Sequence, residues 1–407
     1  MTGDIKGAWL SDTDTTNAVS TDLLGGIGNF TDVNAWTVSS GWSLSSNIAT
    51  GSGVTNYLLP ASNGILTAGK EYAVTVTQSG YTSGALYLYM GTGAPASGNH
   101  FIALPSAVGT YTFILNAYNS NFGIYGAGYT GVIDNVTVSL ADADRSINAN
   151  GLQVNGTITK TAVATGADLV AYSGFSASNY LEQPYNSDLD FGTGDFSVMG
   201  WVKLTASGAN EAIIDTRGSA NAYGLVVLTN TTDKITLVTR DASAESSVTG
   251  SVTVTDDWAF VVALRKDSGA TLSIYVNGML DVSGTVTARN ITGGNNVSTI
   301  GLRQDGLALA AGSSLALMRI SATAPTAAQI LEIYNAEKPL FQENAKATLN
   351  GTSDAVQCLA YDDSTELLHV GTSGGRSTFQ GLRRVDETAT NTTEISAQGG
   401  MIIEETA

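Results

Sequence analysis

The chain has 407 residues, a formal net charge of −18 at pH 7, two histidines and one cysteine. No basic stripe is present to neutralise phosphates, which argues against a nucleic-acid partner, and a single cysteine excludes an intrachain disulfide. So few histidine and cysteine residues also argue against a zinc site within one chain. The 46 glycines and six prolines predict an all-β fold with many tight turns, and the length predicts two or three domains.

Residues 1–24 are polar and carry Asp12, Asp14 and a cluster of threonines. We predict an N-terminal arm or docking segment here, with a partly disordered terminus as the alternative. The first residues lack the basic and apolar regions of a signal peptide, and no stretch approaches the roughly 18 apolar residues that a transmembrane helix needs. We therefore expect no membrane insertion.

Residues 25–141 are predicted to form a first jelly-roll β-sandwich, because short strands separated by turns recur without a long helix. The longer predicted strands cover residues 72–77, 86–89, 109–115, 122–125 and 131–138. The opening aromatics Phe30, Trp36 and Trp42, together with the closing Val-Ile-Asp-Asn-Val-Thr-Val segment, resemble jelly-roll carbohydrate-binding modules. This resemblance implies a sugar-binding surface in the first domain.

Tyrosines of the first domain are the predicted carbohydrate platform. Tyr87 and Tyr89 share one strand face because side chains alternate along a strand, and Tyr118 and Tyr125 are near in sequence. A flat aromatic ring can stack on the apolar C–H face of a pyranose. The alternative is that these tyrosines are half-buried packing residues.

Residues 142–338 are predicted to form a second sandwich, entered through a linker at 142–148. Strands are predicted over 196–203, 258–265 and 272–278, and the first and third of them alternate apolar with small or polar residues. The third ends at Asn277-Gly278, a strong hairpin signal because both residues tolerate positive φ. A short helix follows these strands.

The helix is predicted over 323–334, where Thr326 and Gln329 have the spacing of a capping box and Pro339 lies beyond the end. Its predicted apolar stripe consists of Ile330, Leu331, Ile333 and Tyr334. The order of elements over residues 165–338 resembles that of laminin-G-like domains of the concanavalin A-like jelly-roll class. It consists of a strand, a strand that begins with a tryptophan, an Asn-Gly hairpin and a short helix. That fold serves lectins, glycosidases, adhesins and virion proteins alike, so the resemblance implies the fold more than the function.

Two sets of polar residues in the second sandwich are candidate sites. Asp188, Asp190 and Asp195 lie in a Gly-rich loop and offer hard oxygen ligands for Ca²⁺, the one cofactor that the sequence suggests. Asn295 and Arg303 fall near predicted strand ends, where such domains present ligand loops. Solvated turn residues are the alternative in both cases.

The sequence contains no catalytic motif in the structural context that its chemistry requires, and we expect no enzyme activity. The Glu-x-Asp-x-x-Glu strand of retaining glycosidases is absent, and the nearest cluster is Glu211 with Asp215. Residues 371–375 satisfy Gly-x-Ser-x-Gly, but a nucleophile elbow needs a following helix, whereas the next residues are β-like. A Gly-rich hairpin is predicted instead.

Residues 339–407 are predicted to form a small C-terminal β segment. Strands predicted over 355–361, 366–371 and 377–382 resemble one propeller blade. About 70 residues bury little surface alone, and a single repeat needs neighbours. We therefore expect this segment to assemble with other subunits, preferably as a trimer, as in the concatenated modules of phage fibre and appendage proteins.

Together these features predict an all-β, non-enzymatic structural component of a bacteriophage particle. The expected role is that of a tail fibre, appendage or surface-decoration protein, located on the virion and bound to other virion proteins, with host-surface glycans as ligands. Two alternatives remain open. One is a purely architectural virion spacer without a ligand, and the other is a bacterial surface adhesin or lectin.

Overall fold

The computed structural model of the protein describes residues 4–91, 100–218, 222–294, 296–353 and 355–406. Over these residues the fold is all-β, with strands in five sheets and one α-helix. The predicted fold class is confirmed. No helix in this described part of the chain is both long and apolar enough to cross a membrane.

The first sandwich is built on one eight-stranded sheet in which β7 and β10 are the central partners. The strands up to residue 140 are β1 (Ile5–Trp9), β2 (Ala18–Val19), β3 (Trp36–Val38), β4 (Trp42–Ser45), β5 (Ile48–Val54), β6 (Tyr57–Pro60), β7 (Glu71–Tyr89), β8 (Phe101–Ala103), β9 (Gly109–Asn116) and β10 (Gly123–Leu140). Short 3-10 turns at Ile27–Asn29 and Val33–Ala35 precede β3. The strands predicted over 72–77 and 86–89 are the two halves of β7.

Bulges allow this single sheet to close over its own core. The pairing of β7 with β10 shifts register at four places between Ala127 and Val136, and such irregularities bend a strand. Val74 and Leu88, from opposite halves of β7, consequently bury into the same hydrophobic cluster. Alternate residues of each strand point away from that cluster and form the outer face.

The second sandwich has a nine-stranded and a seven-stranded layer. Its elements are β11 (Gln153–Asn155), β12 (Thr157–Ala162), β13 (Val170–Ser173), β14 (Tyr180–Gln183), β15 (Phe196–Lys203), β16 (Glu211–Asp215), β17 (Gly224–Thr229), β18 (Lys234–Arg240), β19 (Glu245–Thr253), β20 (Ala259–Lys266), β21 (Thr271–Val276), β22 (Met279–Thr285), β23 (Ser298–Ile300), β24 (Ser314–Ser321) and α1 (Ala327–Glu337). A 3-10 turn at Ser187–Leu189 precedes β15, and another at Lys338–Phe341 follows α1. Val198 of β15 and Leu237 of β18 meet in the cluster between the layers.

The N-terminal segment completes this second sandwich. β1 pairs with β24 from Ile5 to Trp9, and β2 pairs with β12. Trp9 is fully buried in the core of the second sandwich and donates its indole N–H to the Asn150 carbonyl at 2.7 Å. In sequence, the first sandwich therefore lies between β1 and β2, which belong to the second sandwich, and the remaining strands of the second sandwich.

Helix α1 confirms the predicted capping box. The Thr326 hydroxyl accepts from the backbone N–H of Gln329, and the Gln329 side chain accepts from the Thr326 N–H at 2.9 Å. Ile330 is fully buried against the nine-stranded layer. The predicted apolar stripe is wrong for Leu331, whose side chain is 40% exposed, because only one face of the helix meets the sheet.

The Asn277-Gly278 hairpin is also confirmed. Val276 pairs with Met279, and the two turn residues have φ of 51° and 81°. Asn277 adds a tertiary contact, because its side-chain oxygen accepts from the Phe260 N–H at 2.9 Å. An apolar side chain with a Cβ at this position would lose this bond and also meet the αL penalty.

The C-terminal segment forms a four-stranded antiparallel sheet in sequential order, with a separate two-stranded hairpin. These strands are β25 (Val356–Asp362), β26 (Leu367–Thr372), β27 (Gly375–Gln380), β28 (Arg383–Thr388), β29 (Thr392–Gln398) and β30 (Met401–Thr406). Asp168 of the second sandwich accepts from Lys346 and from the Thr348 hydroxyl, which connects this segment to the sandwich.

Buried carboxylates join the two sandwiches at residues 142–150. Glu71 of β7 accepts from the Asp144 N–H at 3.1 Å, while Asp144 accepts from the Ala8 N–H of β1 at 2.8 Å. Asp142 accepts from the Tyr172 hydroxyl at 2.7 Å. The predicted linker is thus a bonded junction that contacts both sandwiches and the N-terminal segment.

This junction predicts a measurable pH dependence. Burial raises the pKa of Asp142 to about 6, against the lowering effect of the Tyr172 and Leu10 hydrogen bonds. The pKa of Asp142 is higher in the folded than in the unfolded protein. The protonated carboxyl therefore stabilises the folded state at pH 4, and this stabilisation is lost as the pH rises through 6. We expect Asp142→Asn to remove this dependence, which is worth about 2 kcal/mol. Thermal unfolding of both proteins between pH 4.5 and 7.5 measures it, and parallel profiles would contradict it.

Candidate functional site

Aromatic side chains from four strands meet on the outer face of the first sandwich. Tyr125 of β10 lies opposite both Tyr57 of β6 and Tyr87 of β7, and Tyr89 lies opposite Phe101 of β8. We call these five residues the tyrosine face. Strand alternation explains their position, because their neighbours along the strands enter the core. Those buried neighbours are Leu58, Leu86, Leu88 and Ile124.

The rings of the tyrosine face are in mutual contact. The centroids of Tyr57 and Tyr125 lie 4.8 Å apart, those of Tyr89 and Phe101 lie 5.4 Å apart and stack, and those of Tyr87 and Tyr125 lie 6.5 Å apart. Each of the five side chains is half-buried. The face therefore presents a continuous aromatic surface whose ring positions are fixed by their neighbours.

The hydroxyl groups of these tyrosines make no hydrogen bond to the residues that the structure describes. Among the described residues, none of the four phenolic oxygens has a hydrogen-bond partner, whereas Tyr111 and Tyr129 of the same sheet donate to backbone carbonyls. Burial raises the pKa of Tyr89, and the neighbouring tyrosines raise it further. That hydroxyl consequently stays protonated at neutral pH and can donate to a ligand.

The structure assembles three of the four predicted tyrosines. Tyr87, Tyr89 and Tyr125 belong to the tyrosine face, but Tyr118 packs against His100 at a centroid distance of 5.4 Å and lies outside it. Sequence reasoning missed Tyr57 and Phe101. Tyr57 is the first residue of a strand in which burial alternates. This strand pairs with β10, which joins residues almost 70 positions apart. No local sequence pattern indicates such a pairing.

A polar depression of about 430 Å³ lies on the outer face of the seven-stranded layer. Arg303, a predicted ligand residue, stands at its rim, where it pairs with Asp305 and donates to the Asn210 carbonyl at 2.8 Å. Arg217 lines the same depression and is held by a bidentate pair with the buried Asp215, both bonds 2.8 Å long. The predicted partner Asn295 lies outside the described residues.

The predicted Ca²⁺ ligands are not brought together. In the described part of the chain, no group of three or more acidic, histidine or cysteine side chains could hold a metal ion. Asp188 lies 3.5 Å from the Asn150 amide, Asp190 accepts from the Tyr185 hydroxyl, and Asp195 accepts from the Ser268 N–H. Each carboxylate has a separate protein partner.

A buried arginine organises this loop instead. The guanidinium of Arg265 is fully buried and donates to the carbonyls of Gly192, Gly194 and Arg289 at 2.8–2.9 Å. It also lies 4.8 Å from the centroid of the Phe196 ring. Two of the loop carbonyls that a calcium ion would need are thus occupied by a side-chain cation.

The Gly-x-Ser-x-Gly segment and the pair Glu211 and Asp215 have structural roles. Residues 372 and 375 pair across the β26–β27 turn, so the Gly-x-Ser-x-Gly segment is a hairpin without a following helix, as predicted. Glu211 accepts from the Ala310 N–H at 2.9 Å, and Asp215 binds Arg217. These two carboxylates hold loops and strand ends in place.

Comparison with known proteins identifies the second sandwich. A family model described as the concanavalin A-like lectin/glucanases superfamily, of the laminin-G type, matches residues 175–331. Residues 175–331 are therefore similar to this superfamily, in agreement with the concanavalin A-like fold predicted for the second sandwich. No curated protein matches the chain.

Solved structures with similarity to this chain include toxin binding domains. The binding domain of Paraclostridial Mosquitocidal Protein 1 is 11% identical with a TM-score of 0.41, over 56% of this chain and 61% of that one. The receptor binding domain of the botulinum neurotoxin C/D mosaic serotype is 13% identical with a TM-score of 0.41, over 59% of each chain. The protein thus spans less than two thirds of these structures.

Proposed function

We propose that this protein is a non-enzymatic attachment component of a bacteriophage particle that binds host-surface glycans through the tyrosine face. The tyrosine face is the observation that carries the proposal. It combines a continuous aromatic surface with hydroxyl groups that make no hydrogen bond to any described residue, which is the composition expected of a small-molecule site. It carries no charged side chain, so the proposed ligand is a neutral pyranose.

The rest of the chain supports multivalent attachment. The chain combines a first sandwich, a second sandwich that strands from both sides of it complete, and a terminal β segment; a chain of several β modules of this kind is what we expect of a phage fibre or appendage protein. A single sugar contact is weak, but several copies on one particle raise the effective concentration and hence the avidity. We propose a trimer held by the terminal segment and located on the virion among other virion proteins.

A glycan array with the full-length protein, followed by calorimetry on the best glycan, tests this proposal. We expect Tyr87→Leu to weaken binding about tenfold, because the substitution removes a ring and a hydroxyl while keeping an apolar side chain. Tyr118→Leu is the matched control, since Tyr118 is an exposed tyrosine outside the tyrosine face. Absence of any glycan binding, or equal loss in both variants, would contradict the proposal.

A purely architectural role is the second candidate function. The observation that favours it is the half-burial of all five residues of the tyrosine face, because packing alone can account for such tyrosines. In that case Tyr87→Leu lowers the melting temperature and no glycan binds. A bacterial adhesin or lectin would bind glycans in the same way, and the genes next to this one distinguish it from a phage protein.

A further inference from the structure

The C-terminal residues 355–406 bury several polar side chains and expose several large hydrophobic ones. Buried side chains here include Asp362, His369, Arg376 and Thr378. By contrast, among the described residues the four buried hydrophobic clusters extend no further than Ala345. Large hydrophobic side chains are instead exposed on the surface of this segment: Val356, Leu359, Tyr361, Leu382, Val385, Met401, Ile402 and Ile403. Exposed hydrophobic side chains that lie together on one surface mark an interaction site, and two groups of these residues do so.

One exposed surface is the outer side of β30. Its inner side contacts the four-stranded sheet, because Glu404 accepts from Arg376 Nε at 2.9 Å. Strand alternation places Met401, Ile403 and Glu405 together on the opposite side. Met401 and Ile403 are 73% and 74% exposed. In addition, β30 pairs only with β29 among the described strands, which leaves one backbone edge open for pairing.

A second exposed surface surrounds the β27–β28 turn. Leu382 and Val385, 51% and 45% exposed, flank Arg383. Within the described residues, Arg383 has no ion-pair partner, whereas the adjacent Arg384 pairs with Glu387. The Nε atoms of both arginines are buried without an acceptor, so the terminal nitrogens of Arg383 are the donors that a partner would reach. The Glu405 carboxylate likewise has no ion-pair partner in the part of the chain that the structure describes. The two surfaces are therefore alike in apolar content and opposite in charge.

We infer that these two surfaces bind each other between copies of the chain: Met401, Ile403 and Glu405 of one copy contact Leu382, Arg383 and Val385 of the next. Two different surfaces make a head-to-tail contact, and such contacts close into rings when the rotation allows. Pairing Glu405 with Arg383 places an acceptor beside the unpaired guanidinium. The inference deepens the multivalent assembly of the proposed function, on which it rests, but it needs no glycan.

Light scattering on the full-length protein across a dilution series tests the interface. We expect the wild-type mass to be a multiple of 41.9 kDa and Ile403→Glu to reduce it to a single chain, with an unchanged circular dichroism spectrum. Leu280→Glu is the matched control, because Leu280 is an exposed leucine of the second sandwich, and it should keep the wild-type mass.

Charge exchange tests the pairing itself. Glu405→Arg alone and Arg383→Glu alone should each shift the protein towards the single chain, and the double variant should restore the multiple mass. If the wild-type protein is a monomer, the inference is overturned, and the exposed surfaces would then bind a different partner. A multiple mass that these variants leave unchanged, or that the double variant does not restore, also overturns it. Calorimetry of the single-chain variant with a glycan tests the tyrosine face separately.

Discussion

Arg265→Met is expected to lower the free energy of unfolding by about 4 kcal/mol, because it removes a buried charged donor from three carbonyl groups in part-buried hydrogen bonds. The guanidinium lies inside the second sandwich and connects the loop at Gly192 and Gly194 with Arg289. Burial lowers its pKa to about 10, so the group remains charged at neutral pH and its hydrogen bonds are charge-assisted. Methionine fills much of the volume but supplies no N–H group.

Thermal unfolding measures this effect, and a fall of about 10 °C is expected for a domain of this size. Lys266→Met is the matched control, because Lys266 is the next residue of β20 and is exposed, so its melting temperature should stay near that of the wild type. A similar small shift for both variants would show that the loop carbonyls find water or other donors when the guanidinium is removed.

Glu337→Ala is expected to lower the free energy of unfolding by about 3 kcal/mol, because it leaves Arg319 without its carboxylate in a largely buried position. Glu337 is the last residue of α1 and accepts from Trp201 Nε1 at 2.8 Å and from Arg319 at 2.5 and 3.0 Å. One carboxylate thus joins the helix to two neighbouring strands. Its loss should loosen the helix from the nine-stranded layer.

Denaturant unfolding followed by tryptophan fluorescence suits this test, because the Trp201 ring stacks on Tyr334 of the helix at 5.7 Å. Glu332→Ala removes an exposed glutamate from the same helix and serves as the control with an expected change near zero. If Glu337→Ala unfolds at the wild-type denaturant concentration, the helix is held by apolar packing of residues such as Ile330 alone.

Some features of this fold follow from short stretches of sequence. Strand alternation, the Thr326–Gln329 capping box and the Asn277-Gly278 turn depend on residues a few positions apart, and each was predicted with its correct type. The all-β class was predicted from the composition, and the concanavalin A-like fold from the resemblance of residues 165–338 to laminin-G-like domains. Local propensities and turn geometry are sufficient for such predictions, because their physical causes lie within a few residues.

The tyrosine face required the tertiary structure. Tyr87 and Tyr89 share a face by strand periodicity, but Tyr57, Phe101 and Tyr125 reach them only through pairing across β6, β8 and β10. Asp188, Asp190 and Asp195 show the reverse case: their local spacing suggested a shared site, but each carboxylate has a different hydrogen-bond partner in the structure. The carbonyls of their loop instead bind Arg265, about 70 residues further along the chain.

The amino-acid sequence by itself determined the class of fold, the helix with its cap and the tight hairpin, because these depend on interactions between near neighbours. Only the tertiary structure decided which strands share a sheet, that residues 5–19 complete the second sandwich, and which aromatic side chains meet. The physical reason is that strand pairing and burial join residues far apart in sequence. Which of several possible strands pairs with a given strand depends on long-range side-chain contacts, and no local sequence pattern contains them.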